Sequence, residues 1–450
     1  MAKITQQAVI LPDMKERKAR SAWAWIPSLY FAQGIPYVMV NTVAIIMYKR
    51  LGISNADIAL YTGWLNLPWV IKPLWSPIVD IFRTKRLWII AIQLILGASL
   101  AGVALSLPGP EFFRYSLIFF WLIAFSSATH DIAVDGFYML GLDEARQSYF
   151  IGIRSTFYRI ALISGQGALI IIAGYLEKHS ANLNIAWSKT FLIVAIIFLM
   201  LFLYHAFILP KPASDKPAGN SEGSGITSEF FRTFASFFKK QQVGWALAFM
   251  LLFRLGESQL VRMASPFLLD LREVGGLGLS TEQIGIVYGT IGIIALMLGG
   301  ITGGIAASRK GLRYWFFTMA LALNLPNTVY LYMAIMQPES LYLISFLVAI
   351  EQFGYGFGFT AFMLYLIYFS DGEHKTAHYA ICTGFMALGM MLPGMISGYI
   401  QEWLGYKNFF IWVLISTVPG FFIINRLKVD KSFGIRGRDD LSDSISNDNE

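Results

Sequence analysis

The sequence predicts an all-α membrane protein, with twelve transmembrane helices arranged as two six-helix halves. Three observations lead there. Of 450 residues, 56% are hydrophobic and only 14% charged, respectively above and well below the shares usual in soluble domains. Uncharged apolar runs of about 18–22 residues recur along the whole length, each able to cross ~30 Å of hydrocarbon as a helix. The lysines and arginines between the runs fall in alternate loops, which is a pattern of membrane orientation rather than a nucleic-acid-binding stripe. Soluble, disordered and fibrous classes are thereby excluded, as is a β-barrel, whose strands alternate in and out. The one cysteine, Cys382, excludes an intramolecular disulfide framework and a cysteine zinc site.

Residues 1–22 read as a polar, basic N-terminal tail carrying Lys15, Arg17, Lys18 and Arg20. The first span, 23–48, exceeds the 7–15 apolar residues of a cleavable signal and reads as a retained helix. Charge and turn clusters then delimit 57–80, 87–107, 112–140, 150–176 and 188–209, completing an N-terminal bundle over 23–209. Residues 210–242, rich in Pro, Gly and Ser, form a linker, with an amphipathic piece around Phe230–Lys240 expected on the membrane surface. The second bundle, 243–426, comprises 243–269, 282–307, 313–336, 341–369, 378–402 and 408–426. A polar tail, 427–450, is expected to be disordered. Lys and Arg number 23 on the side of both termini against seven on the other, which predicts cytoplasmic termini.

The halves echo each other. Asp80, Arg83, Lys85 and Arg86 after the second span are matched by Ser308, Arg309, Lys310 and Arg313 after the eighth, about 226 residues on. Gln33-Gly34 precedes Leu255-Gly256 by about 222 residues, and Asp131 precedes Glu351 by 220. Parallel six-helix repeats with a basic turn after the second helix of each half indicate the major facilitator architecture. Gly34, Asp80, Arg83, Arg86, Arg309 and Arg313 are accordingly read as gating or structural positions.

Gly299-Gly300-Ile301-Thr302-Gly303-Gly304 lacks the Lys-Ser/Thr of a phosphate loop and lies in a membrane span, so it reads as small-residue helix packing. Gly394 with Gly398, and Gly354, Gly356 and Gly358, read the same way. The absence of HExxH, Walker A and nucleophile-elbow motifs leaves no catalytic residue, no metal site and no cofactor to expect. Without a nucleotide site, the energy is expected from an ion gradient or the solute's own gradient.

Ionisable residues inside the bilayer are costly, so they carry most of the functional information. Asp131 and Asp135 share one face of the fourth span, and the fifth supplies Arg154, Tyr158 and Arg159. An Asp–Arg pair there either couples proton binding to helix contacts or fixes packing; Asp131 with Arg159 favours the first reading, Asp135 with Arg154 the second. In the seventh span Arg254, Ser258 and Arg262 repeat at i, i+4, i+8, which suits an anionic solute, unless Arg254 simply pairs with Glu257. Arg262, near the outer end, is expected at most to snorkel. Glu351-Gln352 in the tenth span has no basic residue within a turn and is a candidate proton carrier or a plain hydrogen bonder. Lys72 either reaches solute or snorkels, and His130 either titrates or is a satisfied hydrogen bonder. Tyr30, Gln33, Tyr37, Asn41, Trp64, Asn66, Trp69 and Tyr288 suit a sugar-containing solute, though helix packing explains many of them equally well.

These residues resemble the AmpG muropeptide permeases, the bacterial branch of the facilitator family that also contains acetyl-coenzyme A transporters. The resemblance covers nearly all of 23–426. Gln33-Gly34-Ile35-Pro36 looks like the family's Ser-Gly-Leu-Pro. Lys72-Pro73-Leu74-Trp75-Ser76-Pro77 with Asp80 looks like Lys-Phe-Leu-Trp-x-Pro-x-x-Asp. Ser127-Ala128-Thr129-His130-Asp131-Ile132 with Asp135 matches Ser-Ala-Thr-Gln-Asp-Ile-x-x-Asp, with His130 standing where the family has Gln. Tyr158-Arg159, Arg254-Leu255-Gly256-Glu257 and Glu351-Gln352-Phe353 are supporting matches. The resemblance implies proton-driven import of cell-wall amino-sugar peptides across the inner membrane.

The expectation is therefore a monomeric, non-enzymatic secondary transporter in the inner membrane, whose partners are the lipid bilayer and an anionic amino-sugar or glycopeptide. Asp131, Asp135, Glu257 and Glu351 are the proton-coupling candidates. Gln33, Tyr37, Lys72, His130, Tyr158, Arg159, Arg254 and Gln352 are the solute-binding candidates. The alternatives are an importer of another saccharide or anionic solute, and a membrane sensor on a transporter fold.

Overall fold

The computed structural model describes residues 21–142, 144–216, 234–372, 375–431 and 433–435. Among them every regular element is helical. The twelve segments, α1 to α12, are Ala22–Arg50, 55–81, Lys85–Ser106, Phe112–Gly141, 144–179, Leu183–Ile208, 243–269, 281–310, 312–336, Leu341–Ser370, 375–404 and 406–424. Eight helices among the described residues are long and apolar enough to cross a membrane. Two of these are double-length, Thr281–Met336 and His378–Ile424. Each is broken by a glycine at positive φ, Gly311 (78°) and Gly405 (71°), a conformation that a Cβ disfavours. The segments 55–81 and 243–269 are interrupted and fall short of that length as single helices.

The interruptions have different origins. In α2, Pro68, Pro73 and Pro77 each sit at the start of a short helical piece, because proline cannot donate inside a helix. In α7 the break is at Phe253–Arg254, where no proline or glycine stands. Helices α1, α5 and α8 contain π turns at Met39–Val43, Ser164–Ala168 and Val287–Gly292. The last two meet: a Cβ on Gly289 would lie 1.8 Å from the Gln166 carbonyl oxygen, so only glycine permits the approach. The glycines at 299, 303 and 356 likewise let α8 and α10 touch backbone to backbone.

The basic turns of the two halves do matching work. Arg86 donates to the carbonyls of Ala206 (2.5 Å) and Leu209 (3.3 Å) at the end of α6. Arg313 donates to the Val429 carbonyl (3.1 Å) just past α12. Each guanidinium satisfies carbonyls left open at or beyond a helix C-terminus. Asp215, just past α6, accepts from the Lys85 and Arg86 amides, and the Leu312 amide bonds the Phe433 carbonyl. Arg83 is exposed with φ of 66° in the α2–α3 turn, and the Asp80 side chain lies outside the described residues.

The described part of the amphipathic piece, residues 234–240, does not lie free on the membrane surface. Phe237 is fully buried against Phe369 and Phe385. Lys240 donates to the Phe369 and Asp371 carbonyls at 2.7 and 2.6 Å. One apolar ring and one cation close over the end of α10, the cation satisfying carbonyls left open at the helix terminus. The remainder of that piece and of the linker, 217–233, and residues 1–20 and 436–450 of the expected tails lie outside the described residues, whereas the start of the tail expected to be disordered over 427–450 packs on the bundle, with Leu427 and Val429 buried.

Candidate functional site

The buried apolar side chains show how the halves meet. On the face opposite the termini they form one cluster, shared by α1–α6 and by the second half. Toward the termini they split into two separate clusters, one from α1–α6 and one from α7–α12. The polar contacts agree. Among the described residues, the hydrogen bonds and ion pairs between the halves join residues 49–62 or 177–178 to residues 262–282 or 401–406. Lys49 pairs with Asp270 at 2.6 Å, and Asp270 also accepts from Tyr406 at 2.6 Å. Asn55 donates to Gln401 (2.6 Å) and Glu402 accepts from the Ala56 amide (2.9 Å). Glu177 takes both Arg50 and Thr281, and Lys178 pairs with Glu282. Arg262, expected at most to snorkel, is instead buried and donates to Thr62 across the seam at 3.2 Å. Among the described residues the polar contacts that join the halves lie on the face opposite the termini, and toward the termini the buried apolar clusters are separate.

Farther from that face, α5 and α8 still touch at Gln166 and Gly289, whereas the seam beside Tyr37 is open. Tyr37 is 38% exposed although it lies between Asp131 of one half and Arg254 and Arg262 of the other. Its ring stands edge-on to Trp69, centroids 5.5 Å apart. Tyr158 and Gln33 are neighbours of Asp131, and the Gln33 Oε1 is buried without a hydrogen-bond partner. Asp131 has a cation, but it is Lys72 at 3.9 Å and not Arg159. Asp135 pairs with Arg154 at 3.3 Å and accepts from Tyr30 at 3.3 Å, while Arg154 covers the rings of Tyr30 and Tyr138. Arg159 is half-buried and has neither an ion pair nor a hydrogen bond among the described residues. The reason is rotational: residue 158 packs on Gly34 of α1, and 159 is turned about 100° from it.

The second half is built differently. Glu257 is fully buried in the first turn of the outer piece of α7, and neither carboxylate oxygen has a hydrogen-bond partner. The helix terminus created by the break at Phe253–Arg254 supplies positive dipole there. Arg254 does not pair with Glu257. Its guanidinium bonds the Tyr355 hydroxyl (2.5 Å) and lies over Phe359 at 4.7 Å, a cation–π setting in α10. Glu351 is buried next to Glu257, with Tyr288 and Tyr330 around it, and accepts from Gln352 at 3.0 Å. Two acids and one arginine are thus buried together, with no cation within ion-pair distance of either acid among the described residues.

His130 is turned away from this seam. It is buried inside the first half, 3.1 Å from Gln93, and Gln93 in turn is 2.9 Å from His205, which reaches Ser28 at 2.9 Å. It therefore does not line the solute path expected of it. Tyr30 is likewise buried, and Asn41 and Asn66 bond carbonyls of their own helix. Neither the α7 break nor the Lys72–Asp131 pair has a local mark in the sequence. The polar pair Asn55 and Gln401 reads in sequence as ordinary span ends.

The family described as Major Facilitator Superfamily matches residues 28–369. A transporter named AmpG 4 from Rickettsia conorii is 27% identical over 408 residues, 88% of this chain and 94% of that one. The anhydromuropeptide permease of Escherichia coli is 22% identical over 404 residues, 88% of this chain and 77% of that one. Among solved structures, the nucleoside transporter NupG superposes with TM-score 0.68 at 16% identity, over 90% of this chain and 98% of its own. The inward-open xylose transporter XylE of E. coli gives 0.64 at 12%, over 91% and 96%. At such identities the structures speak for the fold alone. Because the family match runs through both halves, this multi-pass, non-enzymatic membrane transporter belongs to the Major Facilitator Superfamily.

Proposed function

We propose that the protein imports anionic cell-wall amino-sugar peptides by alternating access, driven by protons, with both termini in the cytoplasm of a cell with an inner membrane. The observation that carries the coupling is Glu257. An ionised carboxylate buried without a hydrogen bond or a cation costs several kcal/mol, and binding a proton removes that cost. Glu351 beside it raises the cost of a second charge. Arg254, whose Nε keeps no partner, and the half-buried Lys72 offer cations to a negatively charged solute, while Tyr37 and Trp69 offer faces on which sugar rings stack. The 23-to-7 bias of basic residues supports the orientation, which makes the observed state inward-open. The names of the relatives support the solute class. The test is uptake of labelled N-acetylglucosaminyl-anhydromuramyl peptide into proteoliposomes under an inward proton gradient. Uptake that an uncoupler abolishes supports the reading. Uptake indifferent to the uncoupler contradicts the coupling, and proton-driven uptake of other saccharides alone contradicts the solute.

A further inference from the structure

The C-terminal half carries a second cluster of cations, away from Glu257 and Glu351. Beside the α8–α9 turn, on the termini face, lies a groove of about 390 Å³ lined by Thr302, Ile305, Ala306, Arg309, Lys310 and Trp315. None of the six is acidic. Arg309 is exposed and has no hydrogen bond or ion pair among the described residues. Lys310 reaches only its neighbour Tyr314, at 3.3 Å from the hydroxyl and 4.5 Å from the ring centre. The Trp315 indole N–H is buried and has no hydrogen-bond partner. Its ring is fixed edge-on to Phe357 of α10, centroids 5.9 Å apart. Two cations and one orphaned donor around one space call for a group rich in acceptors and negative charge.

The surroundings say which kind. Leu298, Ile301 and Ile305 run down α8 from the groove on one helical face, 53, 50 and 48% exposed. A soluble anion gains nothing from that apolar strip, whereas an acyl chain lies along it. The groove also sits where α8 ends, at the depth of lipid headgroups, and Trp315 is the residue type favoured there. The basic residues of the matching turn in the other half are already engaged. Arg86 is bound to the α6 carbonyls and Lys85 is buried. We propose that this groove holds the phosphate of an anionic phospholipid from the leaflet on the termini side. Arg309 and Lys310 supply the counter-charges, Trp315 Nε1 donates a hydrogen bond, and one acyl chain lies along Leu298, Ile301 and Ile305.

The test is native mass spectrometry of the full chain, purified and then offered dioleoyl phosphatidylglycerol, cardiolipin or dioleoyl phosphatidylcholine. The wild type should retain the anionic lipids over phosphatidylcholine. Arg309→Gln with Lys310→Gln should lower retention of phosphatidylglycerol by at least about fivefold, since each basic residue at the membrane surface adds to anionic lipid affinity. Trp315→Phe, which keeps the ring and removes the donor, should lower it by less. Arg114→Gln with Lys189→Gln, exposed basic residues on the opposite face, should leave it unchanged. Equal loss in that control pair, or no loss in the first pair, overturns the proposal. So does displacement of phosphatidylglycerol by excess inorganic phosphate, which would make the groove a site for a free anion.

Discussion

The two halves share a fold and a basic turn, yet they treat membrane-embedded acids in opposite ways. In the first half each aspartate has a cation: Asp131 faces Lys72 and Asp135 faces Arg154. Those pairs are partly exposed and so partly hydrated. In the second half Glu257 and Glu351 are buried, and the one arginine nearby is spent on the aromatic rings of α10. Neutralised acids hold helices in place, whereas acids left without cations are poised to take protons. On the proposed coupling, the comparison gives anchoring to one half and proton exchange to the other.

The seam gives the largest expected effect. A Cβ on Gly398 would lie 2.1 Å from the Asn55 carbonyl oxygen, so Gly398→Leu should block closure of the outer face. Net uptake should fall more than about tenfold as the closed population is lost. An Asn55→Cys reporter, with Cys382 buried, should then become reactive to an impermeant maleimide; an unreactive reporter would mean that the seam closes some other way. Next come the basic turns. Arg86→Ala frees two carbonyls and should destabilise the protein by about 1–3 kcal/mol. Arg313→Ala frees one and should cost less, as read from unfolding midpoints in detergent. Equal costs would break the likeness of the turns into unrelated contacts.

A smaller effect is expected at Lys72 and Asp131. A double-mutant cycle of Lys72→Met and Asp131→Asn on stability should give a coupling of about 1 kcal/mol or less, as partly exposed pairs do. A much larger coupling would make this pair as consequential as the acids of the second half. Smallest of all is His130→Gln. Glutamine keeps a partner for Gln93, so uptake should change by less than about twofold. A tenfold loss would return His130 to the solute path.

The helices were legible because about twenty apolar residues in a row have one low-energy state in lipid. The breaks of α2, a segment read as one continuous span over 57–80, were at least marked by Pro68, Pro73 and Pro77. The break of α7 was not, because residues 253 and 254 are Phe and Arg and nothing local forbids helix there. Candidate residues could be placed on spans but not rotated. Helical spacing put Asp135 with Arg154 correctly, yet gave Asp131 to Arg159, since Lys72 approaches from a span some 60 positions earlier in the chain. The spacing of Arg254 and Glu257 suggested an ion pair, but aromatic rings of α10, a hundred residues away, compete for the guanidinium. Contacts made across the seam depend on the conformational state, which no single stretch of sequence records.

The difference between the halves is tested most directly by measuring Glu257→Gln in two modes on one preparation. Gradient-driven net uptake requires proton release and rebinding, whereas counterflow exchange of solute does not. The predicted result is net uptake near background with counterflow retained, while Asp135→Asn leaves the ratio of the two modes unchanged. Parallel loss of both modes in Glu257→Gln, or net uptake equal to wild type, would contradict the assignment of proton exchange to the second half.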